Sequence, residues 1–127
     1  MHTVLCAQFG YCISMEQKIE SVRPKSVNVL GVDIPILYDA NIDSELLGYF
    51  CPEKLEIGVK DGLSVENTRL ILWHEICHAV ECLAEIKISE SGICVFSTAF
   101  IQLMRHNPDL AWWSFGTEQP GWNKDKF

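Results

Sequence analysis

The segment His74-Glu75-Ile76-Cys77-His78 sets two imidazoles four residues apart, with a carboxylate next to the first. On a helix this spacing puts both rings on one face, about 6 Å apart along the axis, so one ion can take a nitrogen from each. Imidazole suits zinc, and a catalytic zinc keeps one position for a water whose ionisation it brings near neutrality. Glu75 lies about 100° around the helix from His74, so its carboxylate can face that water without being a ligand. From there it can take the water's proton and pass it to a leaving amine. The pattern predicts Zn2+ held by His74 and His78, with Glu75 as the catalytic base and then acid.

A third ligand has two candidates. Glu81 and Glu85 share the histidine face, but Glu81 lies seven residues past His74, about 10 Å along a straight axis. Three ligands in one row converge poorly on a tetrahedral ion. Glu90 follows a short connection and opens a second helix that can fold back beside the first. Glu90 is therefore the first choice and Glu81 the second. Against this, an acid in the first turn of a helix also has a plain role, stabilised by the helix dipole.

The elements that must position these groups are legible around them. Val65 to Ile86 contains no Gly or Pro, Ser64 suits an N-cap, and Glu66 sits in the first turn. A motif helix over 64–86 gathers Leu72, Ile76, Ala79, Val80 and Leu83 on one side, with Trp73 beside them. His74, His78, Glu81 and Glu85 fall on the other side. Cys77 points towards the apolar side, which favours core packing over a ligand role. Ser89 caps a second helix over 89–106 carrying Val95, Phe96, Ala99, Phe100, Leu103 and Met104, and Asn107-Pro108 is expected to stop it.

Residues 23–62 read as a sheet. Val27–Leu30 and Asp33–Asp39 are β-rich and flank Gly31, a hairpin or a bent strand, and Pro35 argues for an edge position. Turn formers run from Ala40 to Glu45. Two more short strands follow at Gly48-Tyr49-Phe50 and Leu55–Val59, then a turn at Asp61-Gly62. Residues 1–22 form an extension with a possible short helix at Met15–Val22. The tail, 107–127, holds Trp112, Trp113 and Trp122, and the adjacent pair is expected to cap the core.

Strands followed by helices in a chain of 127 residues and 14.4 kDa predict a single α+β domain. With 48% hydrophobic and 21% charged residues the chain is globular in character. A net charge of −7 repels phosphate backbones and argues against a nucleic-acid partner. No apolar run reaches the length of a membrane span. Met1 to Ser14 lacks the pattern of a secretory signal, so the expected location is cytoplasmic and the six cysteines are expected as thiols. Cys77, Cys82 and Cys94 fall in apolar segments and are expected to pack as small hydrophobes. Cys6 and Cys12 lack a zinc-ribbon spacing.

The stretch HEICHAVECLAEIKISESGICVFSTAFIQLMRHNPDL resembles the small phage and bacterial zincin-like metallopeptidases related to the ImmA/IrrE group. In these, an H-E-x-x-H helix is followed by a short loop, Ser-Glu, an apolar helix and a closing Arg-x-Asn-Pro-x-Leu. His74, Glu75 and His78 match the motif, Ser89-Glu90 the Ser-Glu opening, and Arg105, Asn107, Pro108 and Leu110 the closing segment. A second acid often follows that opening, and here it is Ser91. Gly92 weakens the start of the second helix, and His106 stands where an acid is common.

The resemblance implies a gluzincin-like zinc peptidase of minimal form: a small twisted sheet of three to four short strands packed on the motif helix and a second, backing helix. It implies that the strand before the motif helix, here Leu55, Glu56, Ile57, Gly58 and Val59, borders the cleft and pairs with an extended protein or peptide substrate. Tyr49, Tyr38 and His106 are available as oxyanion donors, though no spacing singles one out. The implied activity is limited proteolysis of a regulatory protein in a phage or mobile-element setting. The alternative is a catalytically silent zincin-shaped module that docks onto another protein, its zinc structural.

Overall fold

Alternating apolar residues on either side of Gly31 build a hairpin. A computed structural model describes residues 23–43 and 45–116 of the chain. In it β1 (Ser26–Val29) and β2 (Val32–Asp39) pair antiparallel, with Val29 opposite Val32. The two turn residues both take positive φ, Leu30 at 50° and Gly31 at 89°. Such a turn carries the twist that antiparallel strands need, and glycine enters it without cost. The expected helix at Met15–Val22, together with Cys6, Cys12 and Trp122, lies outside the described residues.

β2 is an internal strand, which corrects the edge position inferred from Pro35. Its first half pairs with β1 and its second half runs parallel to β4 (Glu56–Lys60), from Ile36 opposite Ile57 to Asp39 opposite Lys60. Ile36 N–H donates to Lys25 O at 2.9 Å, so the neighbouring Ser26–Pro35 pair is one that exchanges no hydrogen bonds. The N–H that Pro35 lacks would point away from β1, ahead of the point where β4 begins to pair. Proline is tolerated there because the strand changes partners at that residue.

β3 (Gly48–Cys51) pairs antiparallel with β4, giving a four-stranded mixed sheet in the order β1-β2-β4-β3. The fourth strand starts at Glu56. Leu55, expected inside it, has φ 50° and belongs to the turn. Side chains alternate across the pleat, so Ile34, Ile36, Ile57 and Val59 share one face and are buried.

That face receives α1 (Val65–Ala84), which supplies Leu72 and Ala79 to the same core, with Ile76, Val80 and Leu83 packed at its margin as the helical periodicity predicts. Ser64 accepts the Asn67 N–H at 3.1 Å and caps the helix as expected. The far end comes two residues early: Glu85 takes a left-handed conformation (φ 57°), and its N–H returns to Cys82 O and Glu81 O. Gly48 lets α1 approach β3. A Cβ there would meet Ile71 Cγ2 at 2.5 Å and Gly58 O at 2.9 Å, and the second of these is backbone that cannot swing aside. Gly48→Ala is expected to cost about 1–3 kcal/mol by overpacking. An unchanged urea midpoint would contradict this close approach.

The described residues divide after Ile88 into two compact units, where one domain is expected from the composition. In the second unit, α2 (Glu90–His106) starts where the sequence places it, with Ser89 Oγ accepting Gly92 N–H at 3.0 Å. Ile93 and Ser97 are its buried residues. The expected apolar face is largely in solvent: Val95 is 68% and Phe96 53% exposed. An apolar stripe records a capacity for burial, which is realised only where another layer covers it.

Asn107-Pro108 ends α2 but also starts a helix missed in the sequence, α3 (Pro108–Phe115), because proline suits a first helical turn. Trp113 is 84% exposed and Trp112 46%, so this pair does not cap a core. Cys77 is buried as expected, whereas Cys82 and Cys94 are exposed. Cys51 and Cys82 are free thiols. Among the described residues no helix is long and apolar enough to cross a membrane.

Candidate metal centre

The breaker-free run from Val65 carries the H-E-x-x-H segment through the middle of α1, and the helix does what the spacing predicts. The rings of His74 and His78 stack edge-on with centroids 5.0 Å apart at 64°. Their ligand nitrogens lie within 4.8 Å of one another, and both residues are half-buried. Glu75, between them in sequence, is 7% exposed. Its Cγ packs towards β3, 3.4 Å from where a Cβ on Gly48 would stand. The close approach that a glycine permits thus also shields the general-base candidate from water.

Glu81 occupies a place that its second-choice rank as a ligand does not describe. Its Oε1 lies 2.8 Å from His78 Nδ1, and its Oε2 accepts the Ile88 N–H at 2.7 Å. The Ile88 amide, then His78, hold its carboxyl below the ordinary glutamate value. It is therefore ionised at neutral pH and can only accept, so the shared proton sits on His78 Nδ1. In the neutral ring Nε2 then carries the lone pair and is the nitrogen suited to a metal. Both oxygens are thus engaged by protein donors, which adds to the distance along the axis that ranks Glu81 behind Glu90 as a third ligand. Glu90 is the first residue of α2 in the second unit and is exposed.

The substrate-strand expectation for Leu55, Glu56, Ile57, Gly58 and Val59 needs correction. β4 is paired on both sides, with β2 along Ile57–Lys60 and with β3 along Glu56–Val59, so its backbone donors and acceptors are spent on its neighbours. The outer strands are β1 and β3. Strand order follows from long-range pairing, which a local alternation of side chains does not encode.

Two of the three oxyanion candidates, Tyr49 and Tyr38, are also corrected. Tyr49 follows Gly48, whose absent Cβ faces α1, so its side chain projects from the opposite face of the sheet. There its ring covers Gly58 and its hydroxyl donates to Glu56 Oε2 at 2.8 Å. That hydrogen bond, with burial and the Glu56 charge, raises its pKa to about 12. Tyr38 donates to Pro24 O at 2.6 Å beneath the Arg23 guanidinium, 3.9 Å from its ring centre. Burial raises its pKa, opposed by Arg23. Neither hydroxyl is available to a reacting carbonyl. His106 ends α2 in the second unit and is exposed.

Of the residues that shape the site, Gly48 carried little sequence signal. Gly48 reads as a strand residue, and only a glycine inside a strand pattern hints at close backbone approach. Glu81 at i+3 from His78 does carry a readable cue, the spacing at which helical side chains meet. Comparison of the chain with family models, with curated proteins and with solved structures gives no match.

Proposed function

We propose that this chain is a metal-dependent peptidase in which His74, His78 and Glu90 hold a divalent ion and Glu75 is the catalytic base. The observation that carries the reading is the pair of imidazole nitrogens within 4.8 Å on one helical face, next to a buried carboxylate. Two imidazoles and a carboxylate are a donor set used by catalytic zinc, although other divalent ions accept it. Glu90 enters as the third ligand from the sequence reading, as the acid that opens α2 just past the short connection after α1.

A bound zinc would polarise the scissile carbonyl and make water nucleophilic at neutral pH. The chain's own residues account for the rest. Glu75, held low in dielectric between α1 and β3, takes the proton from the attacking water and returns it to the leaving amine. His78 is kept with its Nε2 lone pair outward by the Glu81 carboxylate. An extended substrate would add to the sheet at β3, the outer strand packed under α1, where backbone pairing gives affinity with little demand on sequence. The resemblance to the ImmA/IrrE-type enzymes favours limited cleavage of one regulatory protein, in a phage or mobile-element setting, over general digestion.

A second reading, a zincin-shaped docking module, draws on the exposed apolar side chains of α2 and α3, among them Val95, Phe96, Trp113 and Phe115. Metal analysis combined with a peptide-hydrolysis assay tests the primary proposal. The purified chain is expected to take up one equivalent of zinc, to lose it on His74→Ala or His78→Ala, and to lose hydrolysis with a chelator. Equal metal content in wild type and His74→Ala would overturn it.

A further inference from the structure

The Glu81 carboxylate joins two places that the sequence keeps seven residues apart. One oxygen is 2.8 Å from His78 Nδ1 and the other accepts the backbone N–H of Ile88 at 2.7 Å. Its own backbone carbonyl receives Ile86 N–H at 3.1 Å and the Glu85 cap N–H, so the chain leaving α1 folds back over this one residue. Ile88 is two residues ahead of Glu90. We propose that Glu81 is a positioning residue of the metal centre: it sets the tautomer and ring orientation of His78 and, through the same carboxylate, ties down the segment that leads to Glu90.

The chemistry supports a role beyond ending a helix. A plain C-terminal anchor would need only the bond to Ile88. The second oxygen is instead spent on the ring that must present an unprotonated nitrogen to an ion, and a carboxylate there fixes which nitrogen carries the proton and raises the basicity of the other. Glu81 also lies on the same helix as His78, at i+3, so the bond is made within α1 and does not wait for a ligand to assemble it. Because both bonds use one side chain, tightening the loop and orienting the ligand become a single event.

Glutamine at this position separates the two duties. An amide has one acceptor oxygen where the carboxylate has two, so it cannot accept at both of the positions from which Glu81 meets the Ile88 N–H and His78 Nδ1. If its NH2 faces His78, the ring must move its proton to Nε2, the nitrogen that the metal needs.

The inference rests on the metal reading of the site, and the test keeps the two apart. In the metal-free wild type, ring 15N shifts are expected to show His78 as the Nδ1–H tautomer, with slow exchange of the Ile88 amide. Glu81→Gln should shift that tautomer and bind Zn2+ about 10–100-fold more weakly, with the helical circular dichroism preserved. A wild-type His78 found as the Nε2–H form overturns the proposal without recourse to any variant. So does a Glu81→Gln protein whose Zn2+ affinity stays within twofold of wild type. If the wild type itself takes up no Zn2+, the metal reading falls, while the tautomer measurement still decides whether Glu81 orients His78.

Discussion

Glu75→Gln is expected to lower kcat/KM for peptide hydrolysis by about 10²–10⁴-fold, the range that a positioned general base contributes. That corresponds to about 3–5 kcal/mol of lost transition-state stabilisation. Glutamine keeps the shape of the side chain, which matters because Glu75 is 7% exposed and packs against the strand carrying Gly48. What it removes is the ability to take a proton. His74 and His78 are untouched, so zinc content should remain at the wild-type level, and that pairing of results is the diagnostic one. A variant that hydrolyses peptide as fast as the wild type would remove the enzyme reading. A variant that keeps full biological function without hydrolysis would support docking. If zinc content fell together with activity, Glu75 would instead be acting through the metal site.

Ile57→Ala is expected to cost about 2–5 kcal/mol of stability, the range for emptying a well-packed aliphatic site. Ile57 is fully buried on the internal strand β4, in a core with Ile34, Ile36, Val59, Leu72 and Ala79. A small domain has only about 5–15 kcal/mol in total, so this one truncation uses a large share. The effect should also reach the site, because the same face of the sheet supports α1 and hence both histidines. Leu37→Ala is the matching control. It lies on β2, beside Gly58 in the parallel pairing, but is 45% exposed, and a change there should stay within about 0.5 kcal/mol. Urea denaturation separates the two by midpoint at constant slope. A loss below about 1 kcal/mol for Ile57→Ala would mean that the helix-on-sheet core is not the main source of stability.

The local features were legible because short-range physics sets them. Ser64 and Ser89 as caps, α2 over Glu90–His106, the hairpin about Gly31 and the apolar side of α1 all follow from hydrogen bonds and periodicities spanning a few residues. The same holds for the His74–His78 pair, since four residues on a helix fix the separation of two rings whatever surrounds them. Where reading failed, the deciding partner was distant in sequence or the local signal had two meanings. Pro108 is a stop for one helix and a first turn for the next. Val95 and Phe96 show an apolar stripe, yet nothing within α2 says what layer would cover it.

By itself, then, the order of residues determined the α+β make-up, the helix that bears the H-E-x-x-H segment, and the donors that this helix can offer an ion. Tertiary structure alone decided that β4 runs inside the sheet and that Tyr49 turns its hydroxyl to Glu56 and away from α1. The physical reason is one of range. Helix faces and caps arise from contacts three or four residues apart, whereas strand order and the fate of a polar side chain depend on which groups the whole fold brings within 3 Å of each other.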